Sequence, residues 1–171
     1  MTTKKSLKEN KQGLSTKEIT ICGLFIALSM LFSYLEALIP VSIGIPGVKL
    51  GLANLVTIVA MYHLSLPLVF AIACIRVLLS SLLFSNMMVF VYSIAGAFLS
   101  ILAMYIVKSF KCFSKVGVSV TGGVFHNVGQ LVVAFLMLEN RNVLYYAPVL
   151  VISGVVAGAL IGLLASMIRK G

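Results

Sequence analysis

The segment IPVSIGIPGVKLGLAN, Ile39 to Asn54, lies between two apolar runs and is itself mostly apolar, yet it contains Pro40, Gly44, Pro46, Gly47 and Gly51. Neither a regular helix nor a strand holds proline and glycine at that density, because proline removes a backbone donor and glycine loses the most conformational freedom on ordering. At membrane depth, non-helical chain is tolerated only where protein or a water-filled cavity satisfies its N–H and C=O groups. A broken segment in that setting borders a binding cavity or re-enters the membrane. The remainder of the chain reads as a helical cage around it.

Composition puts the segment in a membrane. Of 171 residues, 61% are hydrophobic and 10% charged, a balance found in polytopic helical membrane proteins and not in soluble domains. The length accommodates six spans of ~20 residues with short connections and no separate extramembrane domain. The expected organisation is a basic tail over residues 1–15 followed by a single six-helix transmembrane domain over 16–171. The net charge of +9 does not indicate nucleic acid, because the basic residues sit in termini and loops and form no polar face with aromatic platforms. Cys22, Cys74 and Cys112 show no metal-ligand or disulfide spacing and read as free thiols.

Outward from the broken segment, each helix has its own punctuation. Ser15 and Glu18 form a capping box that opens a first helix from about Thr16 to Leu38, and Pro40 ends it. A short apolar stretch, Leu50 to Tyr62, follows; its thirteen residues are too few to span a bilayer comfortably. Further helices are expected over Leu66 to Phe84, with Pro67 in its first turn, over Met87 to Val107, and over Val116 to Leu138. Glu139 to Asn142 then connects to a last helix.

Charge placement tests the span count. With six crossings, the side holding both termini receives ten basic residues in the N-terminal tail, the Lys108–Lys115 loop and the C-terminus, and the other side receives only Lys49 and Arg141. That bias follows the positive-inside rule and makes both termini cytoplasmic. A non-crossing second helix would split the basic segments between the two sides.

Several polar residues interrupt the apolar helices. Arg76 stands at mid-helix, where an arginine costs about 2.5–3.5 kcal/mol on insertion scales and needs a partner or a wet cavity. His126 and Gln130 are four residues apart, with Asn127 adjacent, so they share one helix face at similar depth. Lys49 and Asn54 flank Gly51 at the outer edge of the broken segment. These six residues are the candidate ligand contacts; interhelical hydrogen bonding, or snorkelling in the case of Lys49, is the competing use. Their basic character favours an anionic small-molecule ligand. Glu36, near the end of the first helix, either points inward or pairs with Arg141 at the surface.

Two sets of small residues allow close helix approach: Gly23 and Ala27 on the first helix, and Gly154, Gly158 and Gly162 on the last. One set is expected to pack internally, leaving the other to dock a partner. Catalytic constellations are missing from the chain. It has no aspartate and only four acidic residues, so no aspartate cluster holds magnesium on a diphosphate. No phosphate-binding glycine loop, nucleophile elbow or paired carboxylates occur, and no metal site or cofactor is indicated. The expected role is a non-enzymatic binding and translocation subunit.

The string PGVKLGLANLVTIVAMY, Pro46 to Tyr62, with six short helices and a basic tail, resembles the small membrane family known as heptaprenyl diphosphate synthase component I or the Gx transporter family. The likeness runs from about Ile19 onward, and PG-x-KLGLAN is its most specific part. That family is similar in architecture to the substrate-binding S components of energy-coupling-factor vitamin transporters. The resemblance implies a bacterial cytoplasmic membrane protein with an outward-facing cavity bordered by Pro46 to Asn54. It also implies docking of Gly23 and Ala27 on a transmembrane coupling protein that works with ATPase subunits. An accessory subunit of heptaprenyl diphosphate or quinone synthesis is the alternative, since without aspartates the chain is not expected to be a prenyltransferase itself.

Overall fold

The computed structural model describes residues 15–38, 51–110, 112–139 and 141–168, and all regular structure among them is helical. Six α-helices follow one another: α1 (Thr16–Leu38), α2 (Leu52–His63), α3 (Leu66–Phe84), α4 (Met87–Ser109), α5 (Lys115–Leu138) and α6 (Ala147–Met167). The expected all-α bundle is therefore observed. Five of the helices are long and apolar enough to cross a membrane, and α2 is shorter at 12 residues. At 1.5 Å per residue α2 measures about 18 Å, against roughly 30 Å of bilayer hydrocarbon. Lys49 and the rest of the proline-rich connection up to Leu50 lie outside the described residues.

Local chemistry explains the boundaries. Glu18 accepts a hydrogen bond from the Ser15 backbone N–H at 3.0 Å, one half of the expected capping box. Pro67 occupies the first turn of α3, where its missing donor is harmless. Asn86 caps α4 by accepting from the Val89 N–H at 3.0 Å, and Ser114 caps α5 by accepting from the Gly117 N–H at 3.2 Å. Helix α2 starts at Leu52 and not Leu50, because Gly51 adopts a left-handed conformation with φ of 72°. The connection after α5 also differs from expectation: Arg141–Tyr146 form a 3-10 helix, and α6 begins only at Ala147. Pro148 sets that start from within the first turn.

The helices close into a ring in the order α1, α3, α4, α5, α6, α2, with α2 also touching α3. The packed core fills one end of this ring. It joins Ile58, Ala60 and Met61 of α2 to Val69 and Ile72 of α3, Ile101 and Met104 of α4, Val118 of α5, and Ile161 and Ala165 of α6. At the end nearest this core, Lys108 donates to the Met61 carbonyl, and Lys115 donates to the Ala165 and Ile168 carbonyls at 3.3 Å each. Both ammonium groups also lie over the Tyr62 ring, at 4.8 and 5.6 Å from its centre. Cations at the carboxyl ends of α2 and α6 complement the helix dipoles and satisfy carbonyls that the helices leave open.

Glycines set the spacing of α5 against its neighbours. A Cβ on Gly158 would sit 2.7 Å from the Cα of Val120, and one on Gly162 would sit 2.7 Å from the Cα of Val116. On the other side of α5, a Cβ on Gly96 of α4 would meet the His126 carbonyl oxygen at 2.7 Å. The glycine ridge of α6 is therefore an internal seam with α5. Gly23 has open space where its side chain would be, and it and Ala27 are exposed on the outer face of α1.

These two glycine environments predict opposite responses. Gly158→Val drives a side chain into the α5 backbone and is expected to lower stability by about 1–3 kcal/mol or more, the usual range for overpacking. Gly23→Ala should leave stability within a few tenths of a kcal/mol of the parent or slightly raise it, as Ala is the better helix former. Thermal unfolding in detergent measures both, and equal melting temperatures for Gly158→Val and the parent would refute the seam.

Candidate ligand-binding site

The end of the ring opposite the packed core encloses a cavity of about 320 Å³. Every helix contributes to its wall at helical spacing. Helix α4 presents Val89, Ser93, Ser100 and Met104, α5 presents Ser119, Gly122, His126 and Gln130, and α6 presents Gly154, Gly158 and Ile161. Ser33 and Glu36 close it from α1, Asn54 from α2, and Arg76, Ser80 and Ser81 from α3. It extends to the exposed α3–α4 turn at Ser85 and stops on the core residues Met104 and Ile161.

The sequence candidates Asn54, Arg76, His126, Asn127 and Gln130 all line this cavity; Lys49 lies outside the described residues. Their hydrogen bonds divide them. Asn127 reaches across to α6, its amide donating to the Leu150 carbonyl at 2.7 Å and to Ser153 Oγ at 3.2 Å. That amide nitrogen is engaged in holding α5 to α6, the interhelical use weighed from sequence. His126 and Gln130 pair along α5, with Nε2 to Nε2 at 3.2 Å. A Cβ on Gly96 would stand 3.1 Å from the His126 ring, so the absence of a side chain there gives the imidazole its place.

Arg76 differs from the others. It is 9% exposed, it lines the cavity, and its Nε has no hydrogen-bond partner among the described residues. The carboxylate whose charge it feels is Glu36. Glu36 does not pair with Arg141, which is exposed at the start of the 3-10 helix. Its carboxylate instead accepts a hydrogen bond from the Gly51 N–H at the amino end of α2. The positive φ of Gly51 turns that N–H toward α1, and an added Cβ there would also meet Ile161 Cδ1 at 3.3 Å. Tyr34 and Phe84, with ring centres 5.6 Å apart, join α1 to α3 beside this contact.

Sequence reasoning missed the serines. Ser33, Ser80, Ser81, Ser93, Ser100 and Ser119 all face the cavity. Two of them bond to backbone carbonyls, Ser80 to Val77 within α3 at 3.2 Å and Ser100 of α4 across to Gly122 of α5 at 2.8 Å. The hydroxyls of Ser81 and Ser119 donate to no protein group among the described residues. A usable signal existed: Ser80 follows Arg76 by one turn, and Ser93 and Ser100 lie two turns apart on one face of α4. With these hydroxyls, a guanidinium, an imidazole and three amides lining one concave space, the arrangement can orient a small polar molecule by hydrogen bonds. Its volume sits at the small end of the ~300–1,000 Å³ usual for such sites. Among the described residues, no group of three histidines, cysteines or carboxylates is placed to hold a metal.

Comparison with curated proteins and with solved structures finds no match. A sequence model of the heptaprenyl diphosphate synthase component I family matches residues 25–168, a stretch that contains all six helices' contributions to the cavity wall. The chain is a multi-pass membrane protein, and it belongs to the heptaprenyl diphosphate synthase component I family.

Proposed function

We propose that this protein is the substrate-binding subunit of an energy-coupling-factor-type importer, capturing a small water-borne nutrient outside a bacterial cytoplasmic membrane. The observation that carries this reading is the division of the ring into a packed end and a hollow end. The basic residues mark the packed end as cytoplasmic by the positive-inside rule. The cavity, lined by polar groups from all six helices, then faces the outside. A binding site that is sealed toward the cytoplasm needs a partner to reorient it before release.

The exposed face of α1 suits such a partner. Gly23 and Ala27 are surrounded there by Leu24, Leu28 and Leu31, all exposed, so a partner helix can approach the α1 backbone closely. The partner is a transmembrane coupling protein associated with ATPase subunits, which supply the energy that this chain has no motif to obtain. The protein is not itself an enzyme in this reading. The family description favours a second reading, an accessory subunit presenting a prenyl substrate to a soluble synthase. Against it, about half of the cavity wall is polar, with hydroxyl, amide and charged groups interspersed among apolar ones, whereas a long prenyl chain calls for a continuous apolar channel.

Two experiments decide between these readings. Affinity purification of the full chain from its native membrane should bring down a transmembrane coupling subunit and ATPases, and Gly23→Leu should abolish that capture without lowering thermal stability. Recovery of a prenyl synthase instead would support the second reading. Thermal-shift screening of the purified protein against vitamins and isoprenoid phosphates should identify a water-soluble compound that, at 100 times its Kd, adds ~2.7 kcal/mol of stability. Arg76→Leu should remove that increment while the variant remains folded; an undiminished shift would exclude Arg76 from the site.

A further inference from the structure

The cavity carries two formal charges among its described residues, Arg76 and Glu36, and their surroundings are not equivalent. The Glu36 carboxylate is bonded to the Gly51 N–H at the amino end of α2, where the helix dipole places roughly half a positive charge. Its negative charge is therefore largely answered by backbone. Arg76 feels that same carboxylate's charge but has no such hydrogen bond at Nε: nine-tenths buried, it keeps that nitrogen without a partner among the described residues. The same cavity wall carries the Ser81 and Ser119 hydroxyls, which donate to no protein group among the described residues and can donate to a guest.

We infer that the cavity holds an excess of positive potential centred on Arg76 and selects a small ligand with an anionic oxygen head, a carboxylate or a phosphate. Guanidinium and hydroxyl donors converge on such a head with short charge-assisted hydrogen bonds. A neutral or zwitterionic ligand would require Glu36 to cancel Arg76 across the cavity, and the α2 terminus competes for that carboxylate. This inference deepens the binding-subunit reading and rests on it for the word ligand. The potential itself is a property of the folded chain alone.

The test measures that potential without knowing the ligand. Ser80 lies one turn from Arg76 on the cavity face of α3, so a thiol placed there samples the local field. In full-length protein with Cys22, Cys74 and Cys112 replaced by alanine, Ser80→Cys is reacted with two methanethiosulfonates. One carries an ethylsulfonate and the other an ethyltrimethylammonium group, and each rate is divided by that reagent's rate with a free small thiol. The anionic reagent should be favoured by about fivefold or more, a preference of the size expected for one charge in a partly screened cavity. Arg76→Gln in the same background should erase or reverse the preference, and Arg76→Lys should keep most of it, with size-exclusion profiles confirming that each variant is folded. A ratio near one in the parent, a cationic preference, no reaction with either reagent, or a ratio indifferent to Arg76→Gln would each overturn the inference. Because no transport partner enters the measurement, failure to find coupling subunits would sink the importer reading and leave this result standing.

Discussion

Helix α2 must be held by other helices at both of its ends, and the rest of the structure is arranged around that requirement. Twelve residues reach about 18 Å, so both termini of α2 fall where unsatisfied backbone groups are expensive. Glu36 of α1 accepts from the Gly51 N–H at one end, and Lys108 of α4 donates to the Met61 carbonyl at the other. Between these points half of the helix is buried, with Val56, Ile58, Ala60 and Met61 each at 2% exposure or less. The short helix is thus packed among its neighbours over most of its length, and its first turn reaches the cavity wall with Ala53 and Asn54.

A membrane protein cannot build such packing with hydrophobicity alone, because lipid tails are as apolar as its core. Contact area has to come from close approach, which is the role of Gly154, Gly158 and Gly162 against α5, and of Gly96 and Gly129 between α4 and α5. The same small residues that bring three helices together also leave space on their inner side. Gly122, Gly154 and Gly158 are both packing contacts and cavity wall. Tight helix spacing and a polar hollow are in this sense one design, with backbone exposed on the inner faces where side chains are missing.

The helices were legible because their stops are chemical: Pro67 and the polar pair Ser85 and Asn86 act locally, and the α3 limits expected from the sequence are the ones observed. Boundaries drifted where no such residue stands. Arg141 to Tyr146 contains no glycine or proline, so nothing announced a 3-10 helix between α5 and α6. The polar residues Arg76, His126, Asn127 and Gln130 could be placed at similar depth from helical spacing, but their duties could not, since these depend on what α6 and α1 present to them. Asn127 turned out to be bonded to the Leu150 carbonyl, a group with no sequence signature. The serines escaped notice for a related reason, as a hydroxyl in an apolar helix can bond its own backbone and so need mark nothing.

What separates a polar group that holds the bundle together from one available to a guest is whether its hydrogen-bonding capacity has already been met by protein. Asn127 donates to two groups on α6, and His126 and Gln130 bond one another, so these side chains have fixed orientations before anything enters the cavity. Arg76 is the contrasting case among the described residues, with a buried charge and an unpartnered Nε. Placing an arginine there carries a penalty that apolar packing would avoid, since replacing buried ionic groups by hydrophobic ones is often neutral or stabilising. A guanidinium kept under those conditions, in a cavity whose Ser81 and Ser119 hydroxyls also lack protein acceptors, is accounted for by the proposed ligand-binding role and not by packing alone.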